Sequence, residues 1–449
     1  MNNILKYTVA AILVAIPLYP KFPFLSIPGT FVAIRLEDLL ITFATLVLVA
    51  HLFSSKAIYK LHLSPLNQAI MLYVTIGLIS VISAIFITKT VDPLIGVLHW
   101  IRRVEYFIPY VLGVYAIYVD RRNLNFFVNI LLIVVLIVFV YGVGQKYSQW
   151  PIIITQNEEY SKGAALRYVP GGHINSTFAG HYDLGTFLVL ALPLFICVAA
   201  FFKDKYKYIY GIGFLSGLWL LVNTASRVSL ASYLLSTVLA LILLNKKLAL
   251  IVVIGITVVF TFSSNNLIDR YQRIIDVAGQ KLNLSNLVVS EVRAQERSIL
   301  PSKKIITPTP TSIPVFEDRS SNIRLNVEWP RAIRAFYKNP LVGTGYSSIT
   351  LATDNDYLRL LGEVGVLGFL AFLLVILRIV LEFIKKIPFA SNFSKLELVY
   401  IVSVFASIPG VLLNAVFIDV FEASKFAILF WLMMGFAIGL LTQKENYAK

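Results

Sequence analysis

The sequence predicts an all-α, polytopic membrane protein. Of its 449 residues, 58% are hydrophobic and only 14% are charged, and its mean hydropathy is +0.78, whereas soluble proteins carry about 25% charged residues. The apolar residues fall into runs of about 20 residues, the length that crosses a bilayer as a helix. The single cysteine, Cys197, lies within such a run. A disulfide framework and a thiolate metal site are therefore not expected.

The apolar runs predict about twelve transmembrane helices and one large polar insertion. Residues 1–262 hold the first nine helices and a smaller polar loop near 145–182, residues 263–363 form the insertion, and residues 364–449 hold the last three helices. The insertion divides into amphipathic parts at 267–299 and 323–337, separated by a linker-like Pro/Thr/Ser stretch at 301–314. The predicted spans lie near 5–20, 37–54, 66–88, 94–118, 124–144, 183–202, 208–224, 227–244, 248–263, 364–384, 396–417 and 425–442.

Basic residues in the short connections predict the orientation. If the spans alternate, these residues all fall on one side, which the positive-inside rule identifies as the cytoplasm. Both termini are then cytoplasmic, and both long polar loops are extracytoplasmic. The net charge of +15 is thereby explained by topology, and nucleic acid is not an expected partner. The residues concerned are Lys56, Lys60, Arg121, Arg122, Lys203, Lys205, Lys207, Lys246, Lys247, Lys385, Lys386, Lys444 and Lys449.

Ionisable residues within or beside the apolar runs predict a polar site at the outer leaflet, covered by the insertion. Such residues are costly in lipid and tend to mark sites or pathways, and here they map to the outer ends of their helices rather than to a through-pathway. No histidine lies in the insertion, so a zinc site is not expected. The residues are Glu37, Asp38, Arg102, Arg103, Glu105, Asp183, Arg227, Asp354, Asp356, Asp419 and Glu422.

Some of these residues also have structural interpretations. Arg102 and Glu105 are spaced to pair along a helix, which is as plausible as a functional role. Thr353 and Asp356 fit a capping box, the interpretation that we favour for Asp356 alone. Arg227 is harder to explain structurally, because it stands in a tight Ser/Thr-rich junction without a carboxylate nearby in sequence. The Asp-x-Asp pattern at 354–356 is too short to predict a metal site.

Several motifs together resemble the O-antigen ligase and polymerase superfamily. Each motif is loose alone, but their order and their placement on the predicted spans are fairly specific, and the resemblance covers most of the chain. The main motifs are TASR at 224–227, Arg324-x4-Trp329, NPLVGTGY at 339–346 and NDYLRLLGEVGVLG at 355–368, with support from IRLED at 34–38, NSTF at 175–178 and NAVFID at 414–419.

The resemblance implies a metal-independent, inverting glycosyltransferase without a cofactor, in the bacterial cytoplasmic (inner) membrane. Such enzymes take a glycan from an undecaprenyl-diphosphate donor in the membrane lipid and join it to a glycan, lipid or protein acceptor. In family members two arginines grip the diphosphate, and a histidine just before Asn-x-Tyr-Leu acts on the acceptor. The matching positions here are Arg227, Arg324 and Asp354.

Asp354 is a departure from the family pattern, because it stands where the resemblance places a histidine. A carboxylate can also accept a proton from an attacking hydroxyl, so Asp354 is predicted to orient or deprotonate the acceptor. The change puts ligation to a lipid core in doubt and leaves polymerisation, or another branch of the family, more open. His173 and His181, in the other outer loop, are weaker candidates for this role.

Further residues are predicted to contact the substrate. Guanidinium groups match phosphate oxygens bidentately, and aromatic rings can stack on sugars. The predicted substrate contacts are Arg331, Arg334, Tyr357, Asp356, Arg102 and Arg103, and Tyr346 and Trp329 are candidates for stacking.

Two rival functions remain open from the sequence. A transporter or flippase would suit about twelve spans with cytoplasmic termini, but not the large outer loop. A metal-dependent oligosaccharyltransferase would use Asp354 and Asp356 as ligands.

Overall fold

The computed structural model describes residues 2–20, 22–28, 33–55, 64–151, 173–264, 323–349, 352–386 and 393–443. Most of the predicted insertion, including its parts at 267–299 and 301–314, lies outside these residues. So do much of the smaller polar loop and the basic residues Lys56, Lys60, Lys444 and Lys449.

The described chain is α-helical apart from one short antiparallel hairpin, which joins β1 (Pro23–Ser26) to β2 (Ala33–Arg35). The fold class predicted from the sequence is thus confirmed. The helices are α1 (Asn2–Leu18), α2 (Leu36–Ser55), α3 (Pro65–Ser83, extended by a π-helical end, Ala84–Thr88), α4 (Pro93–Val119), α5 (Asn123–Tyr147), α6 (His181–Phe201), α7 (Lys205–Asn223), α8 (Arg227–Leu243), α9 (Lys247–Phe262), α10 (Trp329–Lys338, preceded by a π turn, Arg324–Glu328), α11 (Asp356–Ile384), α12 (Lys395–Asn414) and α13 (Ser424–Thr442).

Within this part of the chain, seven helices are long and apolar enough to cross a membrane: α2, α3 with its π end, α5, α6, α11, α12 and α13. Helices α1, α8 and α9 are apolar but shorter, and α4 carries three charged residues within its length. Each predicted run coincides with one helix, but the total of twelve spans stays a prediction, as does the orientation. Helix α11 begins at Asp356 rather than near 364.

The helices pack around α13, of which almost every residue is buried. Glycines permit its close approach to α4, since a Cβ added to Gly435 would meet the backbone of Tyr110 and Gly113. A second contact joins α6, α8 and α12 through the buried Asn414, whose amide donates to Thr186 Oγ1 at 3.1 Å and accepts from Ser232 Oγ at 3.3 Å. Helices α6, α8 and α11 begin at one end of the bundle, which we call the site end.

Helix α11 is interrupted at Gly365, which has φ +67°. The loop at 339–345 fills the break: Thr344 N donates to Gly362 O at 3.0 Å and Gly345 N to Glu363 O at 2.8 Å, so the loop supplies the donors that the helix lacks there. A Cβ on Gly365 would overlap the backbone of Leu341. Gly365 is therefore required both for this close packing and for its positive φ, which glycine adopts without strain.

Two aspartates clasp the start of α11 to the connection between α12 and α13. The Asp419 carboxylate accepts backbone bonds from Thr353 N at 2.8 Å, Asp354 N at 3.1 Å and Asn355 N at 2.9 Å. In return, Asp356 Oδ2 accepts from Val420 N at 2.8 Å and Phe421 N at 3.2 Å. Each buried carboxylate thus satisfies amides of the other segment, and the clasp fixes the turn that carries Asp354.

The break in α11 predicts that Gly365→Ala destabilises the protein. Alanine at this φ costs roughly 1–3 kcal/mol from backbone strain alone, and the overlap with Leu341 adds to it. The midpoint of thermal unfolding of the detergent-solubilised protein should fall. Gly211→Ala is the control, because a Cβ there meets nothing within 4 Å; equal midpoints for the two variants would contradict this account of the break.

The clasp predicts a larger loss for Asp419→Ala than for another helix-capping aspartate. Asp419→Ala leaves three backbone N–H groups without their acceptor, at about 1–3 kcal/mol for each group that stays buried and unsatisfied. Asp204→Ala, the control, removes an exposed cap at the start of α7, which is worth about 1 kcal/mol. The comparison is again made by thermal unfolding, and a midpoint of Asp419→Ala at or above that of the control would refute the assigned role.

Candidate functional site

Arg324 and Asp354 form an ion pair at the site end. Both Nε and Nη2 of Arg324 contact Asp354 Oδ2, at 2.9 Å and 2.8 Å. Arg324 is buried, whereas the Asp354 side chain is 26% exposed. Burial raises the pKa of Asp354 above its usual range, and the attraction of Arg324 only partly opposes this. The structure thus brings together two of the three residues that the sequence predicts to be catalytic.

The turn that carries Asp354 holds it in left-handed backbone, with φ +49°, a conformation that aspartate tolerates better than most residues. Asn355 then caps α11, since its side chain accepts from Leu358 N at 2.9 Å. The predicted capping box of Thr353 and Asp356 is therefore wrong. Asp356 is the first residue of α11, and its carboxylate binds the clasp instead.

Tyr182, in the first turn of α6, lies beside the ion pair. The Arg324 guanidinium is 5.9 Å from the centre of the Tyr182 ring. The rings of His181 and Tyr182 are tilted to each other with centres 4.1 Å apart, and the ring of His173 lies 4.6 Å from that of His181. The two histidines therefore flank the site, while their role in catalysis stays a prediction.

Arg227 is the first residue of α8, and the Ser226 side chain before it caps the helix. A cation is unfavourable at the positive end of the helix dipole, so this position suits an arginine that meets an anion. The first turns of α6 and α8 touch, because a Cβ on Gly185 would lie 2.8 Å from Ser229 Oγ. Arg227 and Tyr182 therefore belong to neighbouring first turns, and the predicted catalytic residues share one end of the bundle.

The π turn before α10 turns two ionisable residues inward. Leu325, Asn326 and Val327 are exposed, whereas Arg324 is buried and Glu328 is half-buried. No donor among the described residues reaches the buried Glu328 Oε2. Burial, followed by repulsion from Asp354, raises the pKa of Glu328 to about 7.

The predicted substrate contacts of α10 differ in exposure. Arg331 is half-buried and Arg334 is exposed. Helix α10 packs on α11 through Ala332, whose backbone lies against Gly362. Contact of either arginine with a substrate stays a prediction.

Four other predicted substrate contacts have protein partners. Tyr357 donates from its hydroxyl to Leu412 O at 2.8 Å, and Asp356 belongs to the clasp. Arg102 donates to Asp38 Oδ2 at 3.2 Å and to Ala33 O at 3.0 Å. Arg103 pairs with Glu422. These contacts are structural, and a substrate role for the four residues remains a prediction.

A buried network of charges lies behind the clasp. Arg359, inside α11, is 3.5 Å from both Asp419 and Glu363 and 3.9 Å from Glu422. Burial would raise the pKa of Glu422, but the guanidinium groups of Arg103 and Arg359 outweigh it and hold the pKa below its usual range. The two guanidinium groups offset part of the negative charge of these carboxylates, which lipid does not solvate.

A cavity of about 30 Å³ lies beside this network, between Arg103, Asp356, Glu422 and aromatic side chains such as Tyr73 and Trp431. It has room for about two water molecules, whereas ligand pockets measure about 300–1,000 Å³. The cavity therefore suits water rather than a sugar.

Metal binding by Asp354 and Asp356 finds no support in the geometry. Their carboxylates face different partners, Arg324 for one and backbone amides for the other. Within the described ranges, no group of three or more His, Cys, Asp or Glu side chains could hold a metal ion.

The sequence interpretation missed Glu328 and Tyr182. Glu328 lies inside the Arg324-x4-Trp329 motif, and its spacing from Arg324 was the available signal. Nothing in the local pattern distinguished Tyr182 from the other tyrosines, because its contact with Arg324 joins segments far apart in the chain.

Comparison with known proteins gives one family match. Residues 212–373 match the O-antigen ligase family model, a stretch that contains Arg227, Arg324, Glu328 and Asp354. No curated protein matches the chain. The resemblance predicted from the motifs is thereby confirmed over residues 212–373, whereas the supporting motifs at 34–38, 175–178 and 414–419 lie outside the matched stretch.

Proposed function

We propose that this protein transfers a glycan from an undecaprenyl-diphosphate carrier to an acceptor hydroxyl at the outer face of the bacterial cytoplasmic membrane. The observation that carries the proposal is the buried Arg324 beside Asp354, within the family domain and at the same end of the bundle as Arg227. Both termini are cytoplasmic in this proposal, and the site end faces outward.

Arg324 is positioned to exchange a carboxylate for a phosphate. Its Nε and Nη2 already converge on one oxygen of Asp354, and guanidinium groups bind carboxylate and phosphate with the same fork of donors. Asp354 therefore orients Arg324 before the donor arrives. Its exposed fraction of 26% makes it the more accessible member of the pair.

Arg227 supplies a second positive group. A diphosphate next to the first turn of α8 would interact with the guanidinium and with the helix dipole together. As the anomeric bond breaks, negative charge grows on the leaving diphosphate, and preorganised cations at that place lower the barrier. The transfer then needs no metal ion.

The acceptor in this proposal is a glycan, a lipid or a protein hydroxyl, which corresponds to a polymerase, a ligase or a protein-glycosylating enzyme. The Asp354 departure favours polymerisation over ligation to a lipid core. The apolar walls of the helices would hold the polyprenyl chain in the membrane.

Removing the guanidinium group of Arg324 or of Arg227 is predicted to abolish most of the glycan transfer. Arg324→Gln and Arg227→Gln should each lower the rate by about 100-fold or more, because each removes a group that stabilises the developing charge. The measurement uses purified protein in liposomes, with the lipid-linked glycan extracted from a deletion strain as substrate. Lys338→Gln is the matched control, since it removes one positive charge from the exposed end of α10. Full activity in both arginine variants would refute the proposed binding of the diphosphate by Arg324 and Arg227.

The glycan profile of the deletion strain tests the proposed function itself. Loss of long chains with accumulation of single lipid-linked repeat units identifies a polymerase, whereas long chains that stay on the carrier identify a ligase. Complementation with the wild-type gene should restore the profile, and complementation with Arg324→Gln should not. An unchanged profile would contradict glycan transfer and favour the transporter alternative.

A further inference from the structure

The proposed transfer requires a base, a group that takes the proton of the acceptor hydroxyl. The assignment of this base rests on the proposed function. Asp354 is the base that the sequence predicts. In the structure, however, two donors of Arg324 converge on Asp354 Oδ2. These two donors take the lone pairs of Oδ2, so this oxygen is not free to accept the proton of a hydroxyl.

Three polar groups without partners lie together on the π turn and the start of α10. They are Glu328 Oε2, Trp329 Nε1 and Arg331 Nη1, each of which is buried and lacks a hydrogen-bond partner among the described residues. A buried polar group left unsatisfied costs about 1–3 kcal/mol. One acceptor and two donors within four residues are a complementary set for a hydroxylated ligand such as a sugar.

The π turn places Glu328 on the same face as Arg324. Trp329 N bonds to Arg324 O, five residues earlier, in the wider ring of a π-helix, which winds more loosely than an α-helix. Arg324 and Glu328 consequently share the inward face, while the three residues between them are exposed. An acceptor that contacts Glu328 is thereby placed next to the predicted position of the diphosphate on Arg324.

The charges around Glu328 suit a catalytic base. Arg324 and Arg331, from the same segment, favour the ionised form of Glu328, whereas Asp354 from the turn before α11 and Asp419 from the connection after α12 oppose it. Burial and these carboxylates together raise the pKa of Glu328 to about 7. A base is most effective when its pKa lies near the working pH.

We propose that Glu328 is the catalytic base and that Trp329 and Arg331 bind the acceptor sugar beside it. The Glu328 carboxylate takes the proton from the acceptor hydroxyl, and the hydroxyl oxygen forms the new bond to the anomeric carbon. The bond from that carbon to the diphosphate oxygen breaks, and its electron pair leaves with the undecaprenyl diphosphate. Asp354 is a positioning residue, which acts through Arg324.

The pH dependence of transfer tests the proposal. The wild-type initial rate, measured in liposomes with glycan extracted from the deletion strain, should rise through about pH 7 and then level, because only ionised Glu328 accepts the proton. Glu328→Gln should lower the plateau by about 100-fold or more and remove the rise. Asp354→Asn should move the rise to lower pH, because it removes a negative neighbour of Glu328; a purely structural role would not produce this shift.

Two further variants complete the experiment. Trp329→Phe keeps a ring but loses the N–H, so it should raise the substrate concentration needed for half-maximal rate more than it lowers the maximal rate. Glu382→Gln is the matched control, because it removes a carboxylate at the opposite end of α11, where Glu382 pairs with Lys385. The thermal midpoints of all variants are compared with wild type, and Glu328→Asp should recover part of the activity and its pH dependence if Glu328→Gln is less stable.

The outcomes separate this proposal from the function on which it rests. If Glu328→Gln keeps the wild-type rate and pH profile while Arg324→Gln is inactive, glycan transfer stands and Glu328 is not the base. If neither variant affects transfer, the proposed site itself is wrong. A low transfer rate that does not change with pH in Glu328→Gln, together with recovery of activity in Glu328→Asp, supports the assignment of Glu328 as the base.

Discussion

The reciprocal clasp between Asp419 and Asp356 is the constraint on which the site depends. Asp354 can face Arg324 only if the turn before α11 is held in one conformation, and that turn has no helix or strand of its own to hold it. Three backbone amides of the turn bind one carboxylate from the next connection, and two amides of that connection bind a carboxylate of α11. Charge-assisted bonds of this kind are about twice as strong as neutral ones.

The clasp is possible because other charges around it are paired. Arg359 and Arg103 lie among Asp419, Glu363 and Glu422, so each of these three carboxylates has a guanidinium group nearby. In a bundle surrounded by lipid, an unpaired charge is not solvated by water. We infer that this network serves the rigidity of the site, since a base or an arginine that shifts by 1 Å loses much of its effect.

The carboxylates of the clasp differ from the polar groups at the start of α10 in their hydrogen bonds. The polar groups of the clasp are bonded, whereas Glu328 Oε2, Trp329 Nε1 and Arg331 Nη1 lack partners among the described residues. The break in α11 serves the same end of the molecule, because the loop at 339–345 that fills it follows directly from α10. Gly365 and Gly343, both with positive φ, allow the loop and the helix to approach, and thereby place α10 and its π turn over the start of α11.

Much of the fold was predictable from the sequence, because its signals are local. A run of about 20 apolar residues forms a helix in lipid whatever surrounds it, so each predicted run coincides with one helix. The family and the pair of Arg324 and Asp354 could be recognised for a similar reason, since short motifs in a fixed order carry them. The sequence predicted that this helix starts near residue 364, whereas α11 begins at Asp356. Its first turns are polar, and the composition of an apolar span does not reveal how far a polar helical extension continues before it.

The tertiary structure decided which protein partners the charged and polar residues at the site end have. Asp356, Arg102, Arg103 and Tyr357 resembled substrate contacts in the sequence, but each has a protein partner far away in the chain. Glu328 was not singled out from the sequence, and only the π turn places it beside Arg324. The physical reason is that the free energy of a charged group depends on what surrounds it in space, and at this end of the bundle its surroundings come from segments that are remote in sequence.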